Sequence, residues 1–268
     1  MFQKRYGKWA VVTGASSGIG RAMAGELAAR GLNLVLVARR QTELAQVAQE
    51  LGGRYGVETR VVAADLATGA GVRIIETETG GLEVGVLVAA AGFGTAGSFL
   101  EAELADEMAM LDVNCRAVLA LSLHFGRRFA AQGRGGLMLF GSLVGYQGTP
   151  RAAHYAATKA YIQTLGEGLH VELASRGVDV LVSAPGPVRS GFGARARMQM
   201  GAAEKPETVA RATVAALGQK MTVTPGPLSK LLTWSLRTAP RGLRVRIMGS
   251  IMGGMTKHLG AGKPQSKQ

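Results

Sequence analysis

Two side chains four positions apart, Tyr155 and Lys159, occupy the run Tyr155-Ala156-Ala157-Thr158-Lys159. On a helix that spacing puts both on one face, where the ammonium approaches the phenol. A free phenol has a pKa of about 10, too high for easy proton exchange near neutrality, and a neighbouring cation favours the phenolate. Such a pair can give and take a proton at an oxygen. Ser142 comes just after the apolar run 136–140, where a hydroxyl can hydrogen-bond a reacting oxygen and stabilise the charge that develops on it. Taken singly, each residue has a plainer reading: Ser142 as a turn hydroxyl, Asn114 as a helix-bending side chain, and Tyr155 with Lys159 as an ordinary amphipathic pair.

A second constellation is glycine-rich. Thr13-Gly14-Ala15-Ser16-Ser17-Gly18-Ile19-Gly20 follows an apolar run and opens a helical pattern. Gly14, Gly18 and Gly20 let the turn tighten, let backbone approach a pyrophosphate and let the helix pack on the strand, with the helix N-terminus facing the phosphates. The spacing is GxxxGxG, so it matches neither the GxGxxG fingerprint nor a P-loop. The next apolar run ends in Ala38-Arg39-Arg40, where a carboxylate would suit the ribose hydroxyls of NAD. Arg39 suits a 2′-phosphate instead, because a guanidinium grips phosphate through a fork of hydrogen bonds, so the expected cofactor is NADP(H). Asp65 has two readings, as an acceptor for the adenine amino group or as a helix N-cap.

The elements that must position these residues follow from periodicity. Short β-branched runs at 8–13, 34–38, 59–63, 84–89, 136–140 and 178–183 are too brief and too uniformly apolar for half-exposed antiparallel strands. Helical patterns at 19–30, 41–51, 101–132 and 152–175 alternate with them. The fold class is therefore α/β, a single Rossmann-type doubly wound parallel sheet with helices on both faces, and ligands belong at the carboxyl ends of its strands. Pro225-Gly226-Pro227 marks a boundary between a dinucleotide-binding catalytic part, 1–225, and a C-terminal helical extension, 226–268.

With Asn114 and Ser142, the TGxxxGxG and YxxxK motifs make the chain similar to the short-chain dehydrogenase/reductase family, over roughly residues 8 to 225. Pro185-Gly186-Pro187-Val188 agrees, since the family's PG turn closes over the nicotinamide. The resemblance implies that Asn114, Ser142, Tyr155 and Lys159 are catalytic. Tyr155 donates the proton, helped by Lys159 and an oxidised nicotinamide. Lys159 also binds the nicotinamide ribose, and Asn114 holds a water that relays protons. It further implies cofactor contacts at Gly14, Ser16, Ser17, Gly18, Ile19, Gly20, Arg39, Asp65, Leu66, Ala91, Gly92, Tyr155, Lys159, Pro185, Gly186 and Val188. The tail, with Pro225-Gly226-Pro227 and Ala239-Pro240-Arg241, looks similar to relatives grouped near the 3-oxoacyl-thioester and hydroxysteroid reductases. One departure is Ala90-Ala91-Gly92 where the family has Asn-Ala-Gly; alanine cannot make the asparagine's hydrogen bonds, which lowers local stability or cofactor affinity. Helices 101–132 and 152–175 resemble the family's dimer-forming pair, so a homodimer is expected.

Other chemistries fit poorly. Gly141-Ser142-Leu143-Val144-Gly145 places serine second, which is not a nucleophile elbow. His124, His154, His170 and His258 lack metal-ligand spacing, so no metal site is expected, and His154 reads as lining the site or solvated. Cys115 is the single cysteine, which excludes an intrachain disulfide and reads as a small buried hydrophobe suited to a reducing compartment.

Phe192, Met198 and Met200 fall in 188–204, where the family folds a lid, and such adaptable apolar side chains point to a small hydrophobic carbonyl substrate. In 228–259, Leu228, Leu231, Leu232 and Leu236, then Leu243, Ile247, Ile251, Met255 and Leu259, follow helical spacing on either side of Pro240. The net charge of +13 is uneven: after Glu207 there is no acid, while Arg211, Lys220, Lys230, Arg237, Arg241, Arg244, Arg246, Lys257, Lys263 and Lys267 are basic. Anionic partners follow. The extension reads either as an arm in peripheral contact with an anionic membrane or as a lid or dimer element packed on the core. Nucleic acid is not expected, because Trp234 alone offers no stacking platform. With no signal peptide or uncharged spanning stretch read from the residues, a cytoplasmic location, with or without peripheral membrane association, is the expectation. The main alternative function is a non-catalytic NADP(H)-binding or membrane-surface scaffold.

Overall fold

The computed structural model describes residues 2–259; Met1, 260–268 and the side chains of Leu228, Ser235, Leu236 and Arg237 lie outside the described residues. The readings of Leu228, Leu236, Arg237, Lys263 and Lys267 therefore have no structural counterpart here.

Seven strands form one parallel sheet in the order β3-β2-β1-β4-β5-β6-β7. They are β1 (Trp9–Thr13), β2 (Asn33–Ala38), β3 (Thr59–Ala63), β4 (Val84–Ala89), β5 (Gly135–Phe140), β6 (Val178–Ser183) and β7 (Thr222–Val223). The chain starts in α1 (Phe2–Tyr6); the connecting helices are α2 (Gly18–Ala28), α3 (Gln41–Tyr55), α4 (Gly69–Glu78), α5 (Leu104–Leu111), α6 (Ala117–Gln132), α7 (Ala153–Ala174), α8 (Phe192–Arg195) and α9 (Pro206–Ala216). The order reverses between β1 and β4, which opens a crevice at their carboxyl ends.

The inner strands, rich in β-branched residues and without an exposed face, are covered twice, while the edge strand β3 leaves Arg60 and Ala63 exposed. Met23, Leu27, Leu44, Val209 and Val214 close one side, while Val72, Ile75, Leu121, Phe125 and Ile162 close the other. Each fully buried side chain of this size contributes about 1.5–3 kcal/mol, so the sheet is a rigid floor for the crevice.

The helical stretch expected over 101–132 is not uniform. After a 3₁₀ turn at Phe99–Glu101, α5 passes through a π-helical turn, Asp112–Arg116, into α6. The extra residue swings Asn114 inward, where its side chain holds the peptide of Phe93. Leu104–Gln132 is long and apolar enough to cross a bilayer, yet its inner face packs on the sheet through Leu121, Phe125 and Phe129. Beyond Pro225 the chain forms α10 (Pro227–Thr238) and α11 (Arg241–Met255), separated at Pro240.

Candidate active site

A cavity of about 730 Å³ occupies the crevice. Its floor begins at the glycine turn. Gly14 has φ +70°, a conformation glycine adopts without strain, and a Cβ on Gly20 would lie 2.2 Å from the Gly14 carbonyl oxygen. Those two glycines let α2 start directly on the turn, with Ser16, Ser17, Gly18 and Ile19 beside them on the cavity wall. Thr13 ties the turn to β4: its hydroxyl donates to the Val88 carbonyl at 3.3 Å and accepts from the Ala91 amide at 3.0 Å.

Arg39, Asp65, Leu66, Ala91, Gly92, Pro185, Gly186 and Val188, all expected from the sequence, line the same cavity. Arg40 is engaged with Glu43 at 3.2 Å, whereas Arg39 has no ion pair among the described residues. Asp65 is not a helix N-cap: Thr68 caps α4 through the Gly71 amide at 3.0 Å, and the Asp65 carboxylate accepts from the Ala67 amide at 3.1 Å. The residues present thus fit a dinucleotide: glycine backbone at a helix N-terminus for a pyrophosphate, and an uncommitted guanidinium at the end of β2.

Tyr155, Lys159 and Ser142 meet on one side of the cavity. The Ser142 hydroxyl donates to the Pro185 carbonyl at 3.4 Å and accepts from the Val144 amide at 3.4 Å, close enough to Tyr155 to influence its phenol. Burial pushes the phenol above its usual pKa, and the neighbouring Ser142 hydroxyl opposes that shift. Lys159 Nζ donates to the Phe140 carbonyl at 2.9 Å and lies 5.8 Å from the centre of the Tyr155 ring. Burial pulls its pKa down to about 8. The sequence argument made Lys159 the group that lowers the phenol's pKa. Here the opposing influence on Tyr155 is Ser142, because the ammonium points to the end of β5.

Asn114 belongs to the wall behind them and does not line the cavity. Its Oδ1 accepts from the Phe93 amide at 3.1 Å, and Nδ2 donates to the Phe93 carbonyl at 2.9 Å and to Thr158 Oγ1 at 3.1 Å. Cys115 is buried, with Sγ 3.8 Å from the Thr158 carbonyl oxygen. His154 does not line the cavity: it is half-buried, with its Nδ1 2.6 Å from Glu107 Oε2, clasping α7 to α5.

The far end of the cavity is apolar. Phe192 packs on Tyr155 with ring centres 5.3 Å apart, and Met198 and Met200 follow from the same loop. That loop is closed at its base by a bridge between Val188 and Glu204, with the Arg189 amide donating to Glu204 at 2.8 Å. Sequence reasoning missed Arg195, and it left open whether the extension packs on the core. Arg195, on α8, lines the cavity with its guanidinium 4.0 Å from the centre of the Phe93 ring; burial and the neighbouring Arg39 both lower its pKa. Its place three residues after Phe192 was the available signal. Met248, Met252 and Met255 of α11, with Leu232 of α10, complete the wall, so the extension borders the reacting groups.

Residues 8–201 match the short chain dehydrogenase family model. The chain belongs to the short-chain dehydrogenase family. This short-chain dehydrogenase is 35% identical over 234 residues to a 7beta-hydroxysteroid dehydrogenase of Clostridium sardiniense, covering 85% of this chain and 89% of that one. It is 37% identical over 185 residues to a very-long-chain 3-oxoacyl-CoA reductase of Podospora anserina, 66% of this chain and 54% of the relative. Among solved structures, a 7beta-hydroxysteroid dehydrogenase superposes with a TM-score of 0.86 at 29% identity, over 92% of this chain and 98% of that one. A short-chain dehydrogenase from Sphingobium yanoikuyae in complex with NADPH gives 0.78 at 25%, over 97% and 98%. The protein is thus an oxidoreductase that uses a nicotinamide cofactor.

Proposed function

We propose that this enzyme reduces the carbonyl of a hydrophobic ketone or aldehyde, a 3-oxoacyl thioester or a steroid-like ketone, to the alcohol with NADP(H), Tyr155 donating the proton. The observation that carries this reading is the meeting of Tyr155, Ser142 and Lys159 on the wall of one largely apolar cavity that also holds the glycine turn. The nicotinamide, when bound, supplies the hydride.

The chain's own groups do the rest. The Ser142 and Tyr155 hydroxyls hold the substrate's carbonyl oxygen between them, and charge developing on that oxygen draws the proton from Tyr155 Oη. Lys159 keeps one N–H on Phe140 and has two more with which to hold the nicotinamide ribose and favour the ionised phenol once the proton has left. Both amide hydrogens of Asn114 are committed to Phe93 and Thr158, so a proton relay through Asn114 has only acceptor positions to use. Phe192, Met198, Met248 and Met252 exclude water and receive an apolar body.

Preference for NADP(H) over NAD(H) is supported by Arg39, which lines the cavity without an ion-pair partner, and by the relative in complex with NADPH. A homodimer through α5, α6 and α7 is supported by the apolar side chains they expose. Substrate class is tested by NADPH consumption across long-chain 3-oxo thioesters and cyclic ketones. Substrate-dependent oxidation is expected with at least one class, and none across the panel would contradict the reading. In the same assay Arg39→Asp should weaken NADPH roughly tenfold to hundredfold, the worth of a charge-assisted hydrogen bond, and change NADH far less. Equal losses would contradict the NADP(H) preference.

A further inference from the structure

Helix α11 carries two apolar rows. Met248 and Met252 point inward to the cavity, and Leu243, Ile247 and Ile251 are exposed outside. The stripe visible in the sequence thus turns from the outer face at Leu243 and Ile247 into the cavity at Ile251 and Met255, while Met248 and Met252 form a second, inward row. On α10, Leu231 and Trp234 are 60% and 68% exposed. Lys230, Arg241, Arg246 and Lys257 are exposed on the same two helices and the turn that follows, and no acid occurs anywhere after Glu207.

We infer that the outer face of α10 and α11 docks on the surface of an anionic lipid bilayer, with the substrate cavity lying behind α11. Charge selects this occupant. In a two-fold contact with a second copy, the arm's bases would face the same bases with no acid on the arm to offset them. A nucleic acid would satisfy the charge but leave Leu231, Leu243 and Ile247 in water. An anionic interface satisfies both, since bases sit at the headgroups while leucine, isoleucine and tryptophan enter the acyl boundary. Ile251 both lines the cavity and reaches the outer face, so α11 is a wall one side chain thick between the interface and the reacting groups. An apolar substrate dissolved in lipid would then reach the cavity by displacement of α11.

The test uses the full chain with vesicles of phosphatidylcholine alone and of phosphatidylcholine mixed with phosphatidylglycerol, at low and high salt. Co-flotation with the mixed vesicles only, reversed by salt, is expected, together with a blue shift of Trp234 emission and its quenching by brominated acyl chains. Arg241→Gln with Arg246→Gln should weaken partitioning by roughly tenfold or more, at about fivefold per charge near the surface. Ile247→Ser with Trp234→Ala should abolish flotation while NADPH oxidation with a water-soluble ketone is retained. Absence of flotation, equal flotation with both lipids, or binding indifferent to these variants would overturn the inference. So would a fall in particle mass of Ile247→Ser without vesicles, which would assign the face to a second copy. Flotation needs no turnover, so its failure leaves the proposed reaction standing.

Discussion

At the residue scale, the competing influences on Lys159 and Tyr155 make a pH prediction. Lys159 has its pKa lowered from 10.5 to about 8 by burial, so between those values the unfolded chain binds a proton that the folded chain does not. Stability of the cofactor-free protein attributable to Lys159 therefore rises as pH increases from about 8. Cys115, whose thiol burial pushes up to about 11, acts in the opposite sense above about 9, because the unfolded chain then loses a proton that the folded one keeps. Comparing Lys159→Met with the unsubstituted protein in urea isolates the first effect. The difference in unfolding free energy between the two should move in favour of the unsubstituted protein from pH 8 to 9, and a difference constant with pH would contradict a buried, depressed Lys159. Residue identities in the cavity were legible in the sequence because Tyr155, Lys159, Ser142 and the glycine turn each need a distinctive type at a fixed spacing. The partner of Lys159 was not, because its bond to the Phe140 carbonyl involves backbone, which carries no sequence signal.

At the element scale, six strands were readable as short apolar runs; those buried on both faces have no alternation to hide, and the edge strand β3 shows only Arg60 breaking its run. β7 is only two residues long and pairs by backbone, which leaves nothing to read. The π-helical turn at Asp112–Arg116 was equally silent, because one extra residue hardly disturbs the periodicity of a long apolar helix. α11 was legible only in part: its stripe left a membrane face and a packed lid both open, and the inward Met248 and Met252 lie outside that stripe. Its inner row should set substrate size. Met252→Trp puts an indole where a thioether lines the cavity, so KM for a cyclic ketone should rise about tenfold while that for a short acyclic ketone stays within about twofold, the discrimination a filled apolar pocket can supply. Equal changes for both would contradict a substrate wall formed by α11.

At the scale of the whole molecule, the exposed apolar surface is concentrated in two places, the arm and the helices of one sheet face. On the latter, Leu104 of α5 and Leu123 of α6 are 74% and 51% exposed, and Met108 and Leu119 of those helices and Val171 of α7 are exposed too. A stable monomer rarely leaves so much apolar surface open on neighbouring helices, whereas a two-fold interface covers it with itself. Light scattering should give twice the chain mass of 27.8 kDa for the unsubstituted protein and the single-chain mass for Leu119→Glu with Leu123→Glu. A monomer in both would contradict dimerisation through α6. Because β1 to β6 hold the glycine turn, Ser142 and α7 on one rigid floor, the monomeric variant should keep its cofactor site.

The most direct measurement is single-turnover reduction by Tyr155→Phe, with NADPH binding followed separately by fluorescence. Phenylalanine keeps the ring that packs on Phe192 and removes only the phenolic hydroxyl. Loss of reduction by at least about a hundredfold, within the range ascribed to general acid catalysis, with NADPH affinity changed by less than about threefold, is the predicted result. Reduction retained at a comparable rate would contradict Tyr155 as the proton donor.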